Sequence, residues 1–114
     1  MKPLLLALLP LAASANLVIT EVMPSSRHSN NSVDGDWLEL TNNGASAVNL
    51  GGYSWDDSSN LAGQQTFPVY TIQAGETVII LDETSGSIAP FRATWRIADT
   101  VRIFHETEMG GFAG

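Results

Sequence analysis

Two stretches decide the fold: Gly35-Asp-Trp-Leu-Glu-Leu-Thr-Asn42 and Thr71-Ile-Gln-Ala-Gly-Glu-Thr-Val-Ile-Ile-Leu81. In the first, a two-residue period sets Trp37, Glu39 and Thr41 on one face and Leu38, Leu40 and Asn42 on the other. In the second, Gln73-Ala-Gly-Glu76 predicts a tight turn feeding Thr77–Leu81, whose unbroken apolar run predicts a central strand. Outward from these lie Leu17-Val-Ile-Thr-Glu-Val-Met23, Val48-Asn-Leu-Gly-Gly-Tyr-Ser-Trp55 and Thr66-Phe-Pro68. Each block is short, rich in branched and aromatic residues, and bounded by Asn, Asp, Gly or Ser. That is how an antiparallel β-sandwich reads in sequence.

The segments between them carry turn chemistry. Asn42-Asn-Gly44 is a strong turn signal, Gly51-Gly52 marks a bend before Tyr53 and Trp55, and Asp56-Asp-Ser-Ser-Asn60 reads as an exposed turn. Pro24 to Ser32 is polar and aperiodic, so it is expected as a mobile loop. It contains Asn30-Asn31-Ser32, which fits the glycosylation tripeptide, a motif common by chance. Beyond Asp82-Glu-Thr-Ser-Gly-Ser87, the spacing of Ile88, Phe91 and Trp95 predicts a helical turn near 89–95, with Pro90 in its first turn.

The order and spacing of the strand blocks resemble the lamin tail domain, an immunoglobulin-like module. The resemblance rests on Ile19-Thr-Glu-Val22, Trp37-Leu-Glu-Leu-Thr-Asn42, Val48-Asn-Leu-Gly-Gly-Tyr53, and Thr66-Phe-Pro68 with Thr71-Ile-Gln-Ala-Gly75, in that order. It implies an all-β, immunoglobulin-like antiparallel sandwich that closes two layers of sheet around the tryptophans. It fades after Trp95, where the family adds further strands and this chain offers Thr100-Val-Arg-Ile-Phe104 and Gly110-Gly-Phe-Ala-Gly114. The last strand or two are therefore expected to be missing, either because the chain is a fragment or because the domain leaves an edge exposed.

The amino terminus has its own logic. Met1-Lys-Pro3, an apolar run from Leu4 to Ala13 too short to span a bilayer, and Ala13-Ser-Ala15 predict a secretory signal peptide over residues 1–15. Pro10 argues against a buried core helix there. The remaining residues 16–114 suit one domain. Five basic and twelve acidic residues give a net charge of −7. Arg27, Arg92, Arg96 and Arg102 are scattered and build no positive stripe, which excludes nucleic acid as the expected partner. The same acidity disfavours anionic membranes and fits a soluble secreted protein, with no stable membrane insertion after cleavage. There is no cysteine, so packing of the core must supply nearly all the stability.

The residues able to carry chemistry do not assemble into a motif. Glu21 and Glu39 lie in strands expected to be neighbours, on faces shared with Ile19 and Trp37. Paired carboxylates can act as general acid and base. No nucleophile or basic orienting group accompanies them, so the expected role is to accept hydrogen bonds at the edge of the sandwich. His28 and His105 lack zinc-ligand spacing and are expected in solvent. Ser54 and Ser58 lie outside any nucleophile-elbow motif. Asp34, Asp36, Asp56 and Asp57 place four carboxylates in turns, where a weak calcium site is conceivable, but the regular calcium loop is missing and Asx turns explain the same residues. No cofactor and no catalytic residue is expected.

The sequence thus predicts a secreted or surface-held, non-enzymatic module that binds, scaffolds or tethers a protein or other extracellular macromolecule. The alternative is the accessory part of a larger secreted hydrolase, a nuclease or phosphatase.

Overall fold

A computed structural model of the chain describes residues 16–26, 35–55 and 65–109. Eight strands run in chain order: β1 (Leu17–Ser26), β2 (Gly35–Asn42), β3 (Val48–Asn49), β4 (Ser54–Trp55), β5 (Gln65–Thr66), β6 (Thr71–Ile72), β7 (Thr77–Leu81) and β8 (Arg102–His105). Helix α1 (Ile88–Trp95) lies between β7 and β8, and one turn, α2 (Glu106–Met109), follows β8. The main sheet has the order β1-β2-β7-β8, and two short antiparallel pairs, β3 with β6 and β4 with β5, make up the rest.

β7 explains the architecture. Its run Val78-Ile-Ile-Leu81 is buried on both faces because the sheet is covered on both. On one face Leu38, Leu40, Val78, Ile80 and Phe104 meet Val48 and Ile72 from the small pairs and Leu50 and Phe67 next to them, which is the interior of the sandwich. On the other face Trp37, Ile79, Leu81 and Ile103 meet Phe91 of α1. Trp37 and Trp95 therefore do not sit between two sheets as expected. Trp37 packs edge-on against Phe91 at 5.8 Å and Trp95 at 5.5 Å on the helix side, and Trp55 flanks the sandwich interior half-buried. Such edge-on pairs add about 0.5–1.5 kcal/mol each beyond burial.

Pairing is antiparallel from β1 through β7, but β8 runs parallel to β7. The expected antiparallel sandwich is present, with this one parallel pair added at its edge. A parallel neighbour needs a crossover, and α1 supplies it. The helix matches the predicted turn near 89–95 closely. It ends where Arg96 enters the left-handed region at φ 56°, and Arg92 ties that end down by donating to the carbonyls of Ala98 at 2.5 Å and Val101 at 2.6 Å.

The turns at 42–44, 51–52 and 73–76 hold where the sequence put them, and the one expected at 56–60 lies outside the described residues. Gly52 and Gly75 adopt φ of 94° and 78°, which side chains with a Cβ rarely tolerate. Asn42 is fully buried and donates to the carbonyls of Ser46 at 2.8 Å and Ile72 at 3.2 Å, while accepting from Gly44 N–H at 3.0 Å. It joins the end of β2 to the loop that follows and to β6, with each of its polar atoms satisfied. Glu76 does the same for its turn, accepting from Gln73 N–H at 2.6 Å and from the Tyr70 hydroxyl. That carboxylate acceptor, with burial and its negative charge, holds the Tyr70 hydroxyl above its ordinary pKa.

β1 is longer than expected. Pro24-Ser-Ser26, read from sequence as the start of a loop, belongs to the strand, while residues 27–34 lie outside the described residues. Two register irregularities make this possible. Ile19 faces Leu40 and Glu21 faces Glu39, so Thr20 is an extra residue in a bulge. A second offset falls between Met23 and Ser26, where Pro24 has no N–H to give a ladder.

Candidate binding groove

The bulge at Thr20 decides which side chains of β1 look where. Cross-strand partners share a face, so Leu17, Ile19 and Val22 join Leu40 and Leu38 on the sandwich side, and Glu21 and Met23 join Glu39 and Trp37 on the helix side. Strict alternation would have kept Glu21 on the face of Ile19. The pairing expected from sequence, with each glutamate beside its large apolar neighbour, is thus correct for Trp37 and wrong for Ile19.

On the sandwich side the cover stops short of β1. Leu38 and Leu40 are buried, but Ile19 is 51% exposed and Val22 60%. Two clefts open along this margin. One, of about 140 Å³, is lined by Leu17, Ile19, Leu40, Leu50, Tyr53 and Phe67. The next, of about 180 Å³, is lined by Val22, Pro24 and Ile80 with Asp36 and Asp82. Leu38 and Trp55 belong to both clefts, which makes them two compartments of one groove between β1 and β4. Its first compartment is apolar and its second ends in two acids.

Glu21 and Glu39 stand directly opposite each other across β1 and β2. Glu39 accepts from the Thr20 hydroxyl at 2.6 Å. That hydroxyl contacts Thr41 at 3.0 Å, and Thr41 contacts Thr77 at 2.8 Å. The carboxylate is occupied by a hydroxyl ladder across three strands, as the hydrogen-bonding reading of these glutamates anticipated for Glu39. Glu21 is exposed.

Among the described residues the remaining candidates do not converge. Of the four calcium candidates only Asp36 is described, and it lines the groove; Asp34, Asp56 and Asp57 lie outside the described residues, as do His28 and Ser58. Ser54 is an exposed residue of β4 lining the apolar compartment. Among the described residues no group of three or more His, Asp or Glu side chains is placed to hold a metal ion, and no helix is long and apolar enough to cross a membrane. His105 corrects the expectation of a solvent-exposed imidazole. It is largely buried, with Nε2 3.4 Å from Glu108 Oε2 and Nδ1 without a hydrogen-bond partner. The reason is its place at the end of β8, where α2 folds back over it.

Sequence reasoning missed the groove itself. Its signal was present in Val18-Ile19 and Val22-Met23, adjacent apolar pairs that give β1 oily side chains on both faces although, among the described residues, one partner strand flanks it.

A sandwich interior, a helix over the outer face of its main sheet, and an apolar groove in place of convergent reactive groups define an all-β immunoglobulin-like module. The chain belongs to the Lamin Tail Domain family, which matches it over residues 10–109. That family is one of non-catalytic immunoglobulin-like domains. No curated protein and no solved structure matches the chain.

Proposed function

We propose that this protein is a secreted, non-enzymatic module that holds another macromolecule through the groove beside β1. One observation carries the reading: Ile19 and Val22 expose apolar surface at the margin of two connected clefts. The size of the clefts supports a macromolecular partner. Pockets for small ligands run to about 300–1,000 Å³, whereas each compartment here takes one side chain. An apolar cavity of about 150 Å³ accepts benzene, so a leucine or phenylalanine side chain fits the scale. Secretion rests on the leader-like residues 1–15 and on the acidic composition.

The groove is tested with Nile red, an uncharged dye that fluoresces on apolar surface. The native full chain is expected to bind it, and Val22→Asp or Ile19→Asp to abolish binding with the melting transition retained. Native protein that leaves the dye dark overturns the reading. Secretion is tested by expression in an export-competent host. Recovery outside the cells of a chain beginning at Asn16 is expected, and retention with residues 1–15 intact overturns that part.

A further inference from the structure

Strand β8 ends the order of the described main sheet, and Ile103 and Phe104 are buried on its opposite faces. What such a strand still offers is its outer row of backbone groups. The direction of that row is fixed just after β8, where Glu106 N–H donates to the Glu83 carbonyl beyond the end of β7 at 3.0 Å. Backbone groups alternate sides along a strand, so Ile103 and His105 turn theirs outward. Both outward groups are held by side chains of the same chain. Arg102 Nη1 donates to the Ile103 carbonyl at 2.9 Å, and the His105 N–H donates to Glu108 Oε2 at 3.2 Å. Arg102 Nη2 and Glu108 Oε1 then bond each other, which closes a bridge over the row. Both ends of the bridge are anchored in the core. The guanidinium lies 4.5 Å over the ring of buried Phe104, and Glu108 rides on α2, whose Met109 is buried in the sandwich interior. Glu108 stands three residues after His105, as a helix-capping carboxylate does. Capping of α2 accounts for that contact alone, since the Ile103 carbonyl under Arg102 belongs to β8.

We infer that Arg102 and Glu108 form a guard that keeps the chain from pairing with a second copy of itself along β8. Facing residues of an antiparallel pair exchange both hydrogen bonds. A second β8 laid antiparallel about a two-fold axis at Phe104 sets Ile103 of each copy opposite His105 of the other. The Ile103 carbonyl of one then accepts from the His105 N–H of the other, in both directions. Those are the two groups that the bridge already holds. A two-fold contact requires a surface that is its own complement, and this row meets the requirement. The guard works by occupation, because an incoming strand must displace both charged heads from their backbone partners and from each other before it gains equivalent bonds.

The test compares sedimentation of the full wild-type chain with that of the double variant Arg102→Ala/Glu108→Ala, which removes one charge of each sign and leaves the net charge at −7. Wild type is expected to sediment as a monomer throughout a concentration series, and the double variant to shift toward a dimer as concentration rises. In that dimer the amides of Ile103 and His105 are expected to gain protection from hydrogen exchange. Glu108→Gln keeps an oxygen that accepts from the His105 N–H and is expected to remain monomeric, which separates backbone occupation from the loss of an ion pair. A folded double variant that stays monomeric overturns the inference. So does a wild-type chain that already pairs through β8, or a variant dimer whose added protection lies away from residues 103–105. Should the double variant fail to fold, the His105 amide of the wild-type monomer decides: slow exchange is expected, and exchange at the rate of an open chain overturns the guard.

Discussion

The two outer strands of the main sheet solve the same problem in opposite ways. An edge strand presents backbone groups that invite another strand, and proteins blunt such edges with charges, bulges, proline or cover. At β8 the cover is built from its own side chains. Arg102 Nη1 donates to the Ile103 carbonyl at 2.9 Å, the His105 N–H donates to Glu108 Oε2 at 3.2 Å, and Arg102 and Glu108 form an ion pair with each other. Ile103 C=O and His105 N–H are two residues apart, the interval at which one residue of a further parallel strand would bond to both. The guanidinium also lies 4.5 Å over the ring of Phe104, which is fully buried and meets Phe67 and Tyr70 edge-on. Among the described residues β1 has no such cover. It relies on a bulge at Thr20 and on Pro24 and leaves Ile19 and Val22 in water. The difference separates an edge closed by charged side chains from one whose apolar margin stays exposed.

Truncating the two edges sharpens that contrast. Phe104→Ala is expected to cost about 3–5 kcal/mol in urea unfolding, the range for a buried phenylalanine that leaves a cavity, whereas Val22→Ala should change stability by less than about 0.5 kcal/mol, as for exposed sites. Comparable losses at both positions would break the comparison. Arg102→Ala comes next, at about 1–2 kcal/mol, because it removes charge-assisted hydrogen bonds from a half-buried site and bares the Ile103 carbonyl.

The smallest effect is one of pH. Burial pushes the Glu108 carboxyl up, but the Arg102 hydrogen bond, the His105 backbone N–H and the nearby positive charges outweigh it and hold its pKa below the ordinary value. A carboxyl depressed in the folded state contributes stability above its unfolded pKa, near 4.3, and that contribution is lost as pH falls through the folded value. Wild type should therefore lose more stability on acidification below about pH 4 than Glu108→Gln does, by a margin under about 1 kcal/mol because solvent still screens this half-buried pair. Parallel acid profiles for the two proteins would remove Glu108 from the account of β8.

Some of this was legible in the residues. β2 alternates strictly, and its two faces were assigned correctly because two partner strands and the burial of Trp37, Leu38, Leu40 and Asn42 pin its register. The Gly75 turn, the run of β7 and the helix at 88–95 were equally readable, each being set by local chemistry. β1 was not. A bulge is a one-residue slip, and no periodicity announces that Thr20 rather than Glu21 is the extra residue. Nor does composition say that an aromatic face will be capped by a helix instead of a second sheet, which is why Trp37 and Trp95 came to lie on the unexpected side.

By itself the sequence determined the class of fold, because patterns of branched, aromatic and turn-forming residues act over a few positions, and the family match over residues 10–109 agrees with it. Only the tertiary structure decided the parallel pairing of β8, the burial of His105 under α2, and the coming together of Leu40, Leu38, Asp36, Ile80 and Asp82 along one groove floor. Those depend on which strands become neighbours, and neighbours distant in the chain are chosen by the packing of the whole sheet.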